Sequence, residues 1–381
     1  MICASAIVVE EDKTFISFCI FKKKQFNFLK EIEIPLAYKG DDFLSCLRDH
    51  AETLNKKILE IEKISSFRVR KTFLEIPESL TFKNNVEETV PLKRKKRITP
   101  ADIIFVKKYL ENKFLDWDEH CIHNIAINYE IDSRSFDFPP IGIWAKNIKI
   151  RAILIGTKDT IYRKVEDVFS NFNRRFSGFI VPYISMFSSV FDKAQNNQAV
   201  VSINYNSSYF MINKKVDFIF GQDPDFSIKR IIEELSRRFL VDFSLAEELF
   251  YRYVSFKEIS YFKEITIKKE GGYINISLQA LNSFIKEHTK EKINVILKRM
   301  LEYVKEESLA ISFIGRLNAK EGFYSFLKEC VPYPLKLPIQ NSSISSSFGC
   351  LRYGILRFLE RNHVNEESFL ARIIGVYKEY F

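Results

Sequence analysis

Residue types that could do chemistry are sparse in this chain. The five histidines are scattered, and no GxSxG segment offers a nucleophilic serine. His120 and His123 flank Cys121, and these side chains are of types that bind metal ions. A three-residue span on a strand sends its side chains to opposite faces. The sequence therefore predicts no catalytic residue and no metal ligand.

Glycine content also argues against a nucleotide site built on a glycine-rich loop. The chain has 12 glycines among 381 residues, and Gly271–Gly272 is the only adjacent pair. Neither GxGxxG nor GxxxxGK[ST] occurs. Glycine lets backbone N–H groups approach a phosphate closely, often at positive φ. The sequence therefore has too few closely spaced glycines to form such a loop.

Positive charge is the clearest compositional signal. The net charge of +9 favours anionic partners, and much of the excess lies in the run Lys93–Arg94–Lys95–Lys96–Arg97. This run could bind nucleic acid or lipid phosphates. No aromatic residue is interleaved for base stacking, so we interpret the run as an exposed joint and expect no nucleic-acid partner.

Composition is that of a soluble globular protein, with 46% apolar and 28% charged residues. The longest apolar stretch, 179–191, is too short to span a bilayer. The six cysteines include no CxxC pair, and the N-terminus lacks the features of a signal peptide. We expect a cytoplasmic protein with reduced thiols.

Hydrophobic periodicity predicts the elements that must position any site. Two strands are expected in the first 20 residues around a turn at 10–13, and a helix over 43–58. Thr99–Pro100 marks a helix start, because it places a hydroxyl at the N-cap and proline at the first helical position. Strands are then expected over 121–130 and 148–156, followed by a helix through 162–172.

From residue 199 the pattern changes to a hairpin with a third strand ending at Gly221. Helices follow, including one with a stripe from Ile228 to Phe239. A buried strand is expected over 309–315, and a last helix runs from Gly349 to about Arg361. Strands and helices thus occur twice around an inserted block. This order is typical of a duplicated, two-lobed α/β protein.

Several collinear segments resemble FtsA, the actin-like family of bacterial cell division. The most specific are ITPADIIFVKKYLENKF, CIHNIAINYEID and FPPIGIWAKNIKIRAILI, and weaker matches continue to SSISSSFGCLRYG. The matching positions are Ile98, Thr99, Asp102, His123, Tyr129, Asp132, Pro140 and Gly142. The resemblance implies an α/β, actin/Hsp70-like two-lobed fold with an FtsA-type inserted subdomain and a C-terminal amphipathic helix.

The resemblance also implies a domain order. The first lobe would comprise 1–96, 176–198 and the return segment 341–362, with the inserted subdomain at 97–175. The second lobe would span 199–340, with a small partner-binding subdomain at about 223–268. Residues 363–381 would form a joint and the amphipathic helix.

Departures from the family pattern fall on the ATP site. The resemblance places the first phosphate loop at 8–13, the second at 202–209 and the adenosine motif at 313–315. Carboxylates in the first loop would repel phosphate, and serine in place of an acid at 202 removes an anchor for Mg²⁺. The degenerate pocket comprises Glu10, Glu11, Asp12, Lys13, Ser202, Asn204, Asn206, Ser207, Ser208 and Gly315. We expect no cofactor, with ATP and Mg²⁺ as the alternative.

Two surfaces carry the expected partners. In FtsA the small subdomain of the second lobe binds the acidic C-terminal tail of FtsZ, which places that tail at Arg230, Glu233, Arg237 and Arg238 here. On a helical wheel, 366–381 has one apolar side. It includes Phe369, Leu370, Ile373, Ile374, Val376, Tyr377 and Phe381. This helix either packs on its own domain or, as in FtsA, lies in an anionic membrane surface.

The resulting hypothesis is a division protein on the cytoplasmic side of the cell membrane, at the division site. It would tether FtsZ filaments, recruit other division proteins and self-associate into filaments, without efficient ATP hydrolysis. Two alternatives remain open: an ATP-dependent, polymerising FtsA with unusual loops, and a related actin-like scaffold such as a pilus-assembly homologue.

Overall fold

The computed structural model describes residues 2–9, 13–22, 25–36, 43–136, 138–172, 174–190, 198–205, 207–214, 217–223, 225–258, 263–269, 272–303, 309–336 and 346–366. Its strands are β1 (Ile2–Val9), β2 (Thr14–Lys22), β3 (Gln25–Ile34), β4 (Lys71–Glu75), β5 (Phe82–Arg97), β6 (Glu119–Ile131), β7 (Arg134–Phe136), β8 (Trp144–Lys158), β9 (Phe176–Ile180), β10 (Gln198–Ile203), β11 (Ser208–Lys214), β12 (Asp217–Asp223), β13 (Glu264–Lys269), β14 (Gly272–Ser277) and β15 (Ala310–Gly315). Its helices are α1 (Phe43–Asp49), α2 (Ala51–Ser65), α3 (Pro100–Phe114), α4 (Asp159–Ser170), α5 (Pro182–Val190), α6 (Ile228–Phe239), α7 (Phe243–Tyr253), α8 (Leu278–Tyr303), α9 (Phe323–Cys330) and α10 (Ser346–Glu366).

These elements form two compact units. One comprises Met1–Ser189 with Ser346–Phe381, and the other comprises Val190–Ser345. Each is described below by itself.

The first unit is built on a five-stranded sheet in the order β3-β2-β1-β4-β9. The predicted pair at the N-terminus is confirmed as β1 and β2, which run antiparallel with Val9 opposite Thr14. Strand β1 is apolar along most of its length because α10 packs over it and over β2. Helix α10 also approaches α5 closely. This approach depends on Gly349, where a Cβ atom would lie 1.7 Å from the carbonyl oxygen of Ser185 on α5.

A separate four-stranded sheet in the first unit, in the order β5-β8-β6-β7, carries α3. The predicted start of α3 is confirmed. The Thr99 hydroxyl accepts from the Asp102 N–H, and the Asp102 carboxylate accepts from the Thr99 N–H, which is a reciprocal capping box. Alternate residues of β8, among them Ile148, Ile150 and Ala152, pack under this helix.

Three expectations for the first unit are wrong. Lys93–Arg97 does not form a joint, because β5 continues through this run and pairs with β8 up to Arg97 opposite Trp144. The last helix does not end at about Arg361 either, because α10 remains helical to Glu366. Helix α1 also ends before His50, so the single helix predicted over 43–58 is two helices.

The second unit contains the sheet β12-β11-β10-β15 and the separate hairpin β13-β14. The hairpin predicted from residue 199 is β10 and β11, and β12 adds the third strand. Strand β15 pairs parallel to β10. Buried apolar residues of α6, α7, α8 and α9 join these strands in one core. Hydrophobic burial is thus sufficient to give this unit its own interior.

Candidate functional site

The second predicted phosphate loop closes the hairpin between β10 and β11. Ser202 lies opposite Tyr209, and Ile203 lies opposite Ser208. The Ser202 hydroxyl donates to Asn204 Oδ1 at 2.8 Å, and the Asn204 N–H donates to the Ser207 carbonyl oxygen at 3.1 Å. Asn206 lies outside the described residues. The loop is therefore held by hydrogen bonds among its own polar groups.

The same loop uses the free N–H groups at the start of α6. The Ile228 N–H donates to the Asn204 carbonyl at 3.0 Å, and the Lys229 N–H donates to the Tyr205 carbonyl at 2.8 Å. The next N–H, that of Arg230, donates to the N-cap hydroxyl of Ser227 at 3.1 Å. First-turn N–H groups are the donors with which a helix binds a phosphate. Here two of them donate to carbonyl oxygens of the chain and the third donates to the Ser227 hydroxyl.

Gly315, the remaining glycine of the predicted adenosine motif, ends β15 beside this loop. It lies opposite Ile203 and has φ +102°. A Cβ atom at Gly315 would lie 2.4 Å from the Ile203 carbonyl oxygen. The glycine is thus required for the close approach of β15 to β10, whether or not a ligand binds.

Ser208, at the start of β11, has a fully buried side chain without a hydrogen-bond partner among the described residues. The neighbouring acid, Asp223 on β12, already accepts from Arg299 Nη1 at 2.9 Å. A magnesium ion needs a carboxylate oxygen that is free to bind it, and Asp223 is held in this ion pair.

In the first unit, the first predicted phosphate loop is described at Val8 and Val9, which end β1, and at Lys13. Glu10, Glu11 and Asp12 lie outside the described residues. The Lys13 ammonium lies 2.9 Å from Glu33 Oε1 and 5.1 Å from the centre of the Phe15 ring. Glu33 is on β3, a strand that sequence periodicity missed, so the partner of Lys13 could not be anticipated.

The predicted partner-binding face of α6 is less basic than its sequence suggests. Arg230 pairs with Glu233 at 2.7 Å, and Arg237 pairs with Glu234 at 2.6 Å. Arg238 is exposed and makes no ion pair within the described residues. Two of the three arginines are therefore largely neutralised by their own helix, and Arg238 has the least compensated charge of the three.

The histidines flanking Cys121 point to different neighbours. The His120 ring stacks on Tyr162 with 3.7 Å between ring centres. His123 is buried; its Nε2 accepts from the Val181 N–H at 3.3 Å, and its Nδ1 lies 2.8 Å from Arg357 Nη1. In the part of the chain that is described, no group of three histidine, cysteine or acidic side chains could hold a metal ion.

The predicted amphipathic helix lies outside the described residues. Every apolar residue assigned to it, from Phe369 to Phe381, follows the last described position, Glu366. Within the ranges that are described, no helix is both long and apolar enough to cross a membrane.

Comparison with known proteins finds likeness in structure alone. No protein-family model and no curated protein sequence matches the chain. A chain of the PilM–PilN type IV pilus biogenesis complex superposes with a TM-score of 0.57 at 11% identity, covering 93% of this chain and 98% of that chain. The ethanolamine utilization protein EutJ from Carboxydothermus hydrogenoformans gives a TM-score of 0.51 at 8% identity, with 92% and 89% covered. MreB5 of Spiroplasma citri bound to ADP gives a TM-score of 0.50 at 8% identity, with 96% and 99% covered.

These likenesses confirm the predicted fold class. The chain has the actin-like ATPase fold over nearly its whole length, although at 8–11% identity the likeness reaches no further than the fold.

Proposed function

We propose that this chain is an FtsA-like scaffold that tethers FtsZ filaments to the inner face of the cell membrane and recruits other division proteins. It would work by binding and self-association, without efficient ATP hydrolysis. The observation that carries the proposal is the use of the α6 N-terminus by carbonyl oxygens of the β10–β11 loop. The assignment to division rests on the sequence resemblance to FtsA.

The argument against hydrolysis is electrostatic. Phosphate binding requires N–H donors or cations, and the donors at the start of α6 already make hydrogen bonds within the chain. Bringing a phosphate there would break these bonds and place its oxygens beside two carbonyl oxygens. The carboxylate of Asp223, on the strand beside Ser208, is held by Arg299. The described half of the pocket therefore fits Mg²⁺–ATP poorly.

Thermal unfolding of the full chain with and without Mg²⁺–ATP tests whether the chain binds the nucleotide. A ligand with a micromolar Kd at millimolar concentration would stabilise the fold by about 4 kcal/mol. We expect no measurable shift. A shift of several degrees would contradict the proposal and support the alternative of an ATP-dependent, polymerising FtsA.

Binding of the FtsZ tail is proposed on the exposed face of α6. Arg238 carries the least compensated positive charge of the three predicted arginines, and an acidic peptide would be attracted to it. Co-sedimentation with FtsZ filaments tests this contact. Arg238→Glu should weaken co-sedimentation several-fold, whereas Lys298→Glu, an exposed site on α8 of the same unit, should leave it unchanged. Equal loss in both variants would mean that only net charge matters.

Membrane attachment is proposed through the C-terminal residues 367–381. A single amphipathic helix of balanced charge binds lipid weakly, and self-association would raise the affinity by linking many copies. A chain ending at Glu366 should lose most of its vesicle binding while still co-sedimenting with FtsZ.

The likeness to a PilM chain favours a second candidate, an actin-fold scaffold in pilus assembly. This candidate predicts no co-sedimentation with FtsZ and binding to a PilN-type protein instead. Both partners can be tested with the same purified full chain, so the two functions are separable in one experiment.

A further inference from the structure

An arch of basic residues leaves the ladder between β5 and β8 in the four-stranded sheet of the first unit. Strand β5 lies at the edge in the order β5-β8-β6-β7. Pro91 pairs with Asn147 and Lys96 pairs with Ala145. Four residues of β5, 92–95, therefore lie opposite a single residue of β8, Lys146. The extra residues must leave the ladder, as in a β-bulge. Lys93, Arg94 and Lys95 lie within this arch.

Both ends of the arch are anchored in the core. Leu92 is 6% exposed and Ile98 is 1% exposed, so apolar burial holds the chain on either side. At Lys96, where pairing with β8 resumes, the side-chain ammonium lies 2.5 Å from Asp102 Oδ1 of the α3 capping box. The backbone of the arch is therefore fixed at both ends, and so is the position of its charged residues on the sheet.

The charges of the arch are not neutralised by the protein. Lys93, Arg94 and Lys95 are exposed and make no ion pair within the described residues. Lys146 is exposed on the adjacent β8. The Arg97 guanidinium lies 6.0 Å from the centre of the Trp144 ring, and this indole is 54% exposed. An exposed indole thus accompanies a cluster of cations, which the sequence alone did not reveal.

We propose that this arch, with Trp144, is a contact for anionic phospholipid headgroups. Clusters of lysine and arginine are attracted to the negative surface of such a membrane, and tryptophan favours the headgroup level. The proposed function enters only in placing the chain at a membrane; the contact itself follows from β5 and β8. It is distinct from the C-terminal residues 367–381.

The shape of the arch favours a lipid surface over nucleic acid. Single-stranded nucleic acid binds in a charged groove with open aromatic faces for its bases. Here the cations project from a sheet edge, and one face of Trp144 is shared with Arg97. A projecting cluster meets a flat layer of headgroups without any groove.

Vesicle co-sedimentation of the full chain tests whether the three positive charges of the arch contribute to lipid binding. The vesicles contain phosphatidylcholine either alone or mixed with phosphatidylglycerol. The triple variant Lys93→Gln, Arg94→Gln, Lys95→Gln should bind the mixed vesicles on the order of 100-fold less tightly, at about fivefold per charge. The control Lys56→Gln, Lys63→Gln, Arg68→Gln removes the same three charges from exposed positions elsewhere in the first unit. It should retain most of the binding.

A second pair of variants tests the indole. Trp117 is 96% exposed but lies between Asp116 and Asp118. The negative charges of these two residues should be repelled by an anionic membrane. Trp144→Ala should weaken binding to the mixed vesicles severalfold, and Trp117→Ala should not. The wild-type fluorescence spectrum should also shift to shorter wavelength on mixed vesicles, and Trp144→Ala should remove this shift.

Equal vesicle binding by the triple variant and its control would overturn the inference. So would tighter binding of the arch to a single-stranded oligonucleotide or to polyglutamate than to mixed vesicles, lost in the triple variant. FtsZ co-sedimentation separates this result from the proposed function, because it should be the same in both triple variants. Truncation at Glu366 then reports on the C-terminal residues independently.

Discussion

Gly315, which the resemblance to FtsA assigns to an adenosine motif, is required by packing alone. Its positive φ and its contact with the Ile203 carbonyl both exclude a side chain. We expect Gly315→Ala to lower the free energy of unfolding by about 3 kcal/mol, measured by urea denaturation.

Gly142 provides the matched control for this substitution. It has φ +88°, but a Cβ atom there would have nothing within 4 Å. Gly142→Ala should therefore cost only the backbone strain, about 1 kcal/mol. Equal losses in the two variants would show that the contact with Ile203 is unimportant.

His288 on α8 makes the second unit sensitive to acid. Burial and the nearby Lys292 lower the pKa of His288 below its ordinary value, and its Nε2 has no hydrogen-bond partner among the described residues. The unfolded chain therefore takes up a proton at a higher pH than the folded chain, so stability falls as the pH falls through the ordinary histidine range. Urea denaturation at pH 7.5 and pH 5.5 should show this loss, and His288→Leu should reduce it. An unchanged pH dependence in His288→Leu would contradict the assignment.

At the scale of elements, a buried ion pair joins α2 to the segment before β9. Arg174 donates from both terminal nitrogens to Glu62, at 3.1 and 3.2 Å, and from Nε to Asn55. The Glu62 carboxylate also accepts from the Val69 N–H. Arg174→Met would leave this carboxylate buried without its cation, so we expect a loss of about 3–5 kcal/mol in the free energy of unfolding.

An exposed pair serves as the control for Arg174. Arg163 pairs with Asp159 on α4, but its side chain is 75% exposed. Arg163→Met should change the free energy of unfolding by no more than about 0.5 kcal/mol. Adding Glu62→Leu to Arg174→Met should recover part of the loss, and failure to do so would indicate a packing defect instead.

Elements with local signals could be predicted from the sequence. The α3 start needed only Thr99, Pro100 and Asp102, which are neighbours along the chain. Strand β5 could not be predicted through its basic run, because its pairing depends on β8, some 50 residues away. Strand β3 was missed for a related reason, since few of its residues are buried and its pattern is not clearly alternating.

The candidate site was predictable in its side chains and not in its backbone. The resemblance to FtsA assigned Ser202, Asn204 and Gly315 to one pocket, and these residues lie at one end of β10 and β15. The acceptors facing α6, however, are main-chain carbonyls of Asn204 and Tyr205. Every residue has such a carbonyl, so no choice of side chain could reveal its direction.

At the scale of the whole molecule, the order of elements indicated a duplicated α/β protein, and the resemblance to FtsA implied the actin-like fold. The identity of the partners does not follow from that fold. Each unit has its own apolar core. Both tryptophans, Trp117 and Trp144, are in the first unit. Tryptophan fluorescence should therefore report unfolding of the first unit only, whereas circular dichroism reports both.

This division yields a prediction for the full chain. Gly315→Ala destabilises the second unit, so it should shift the circular dichroism transition in urea and leave the fluorescence transition nearly unchanged. Arg174→Met should do the reverse and shift the fluorescence transition. Coincident transitions in both variants would mean that the two units unfold as one.

The long paired strands of the sheet β5-β8-β6-β7 have a mechanical consequence. Strand β8 has 15 residues, about 50 Å of extended chain, and it pairs with β5 from Gly156 opposite Phe82 to Trp144 opposite Arg97. At the end remote from the arch, the Thr157 hydroxyl donates to the Leu80 carbonyl at 2.7 Å. A pull applied at the arch would run along the strands, and their ladder of hydrogen bonds would be strained in shear, many at once. The sheet would then behave as a stiff tie that carries tension from the arch to the far end of β8 without stretching.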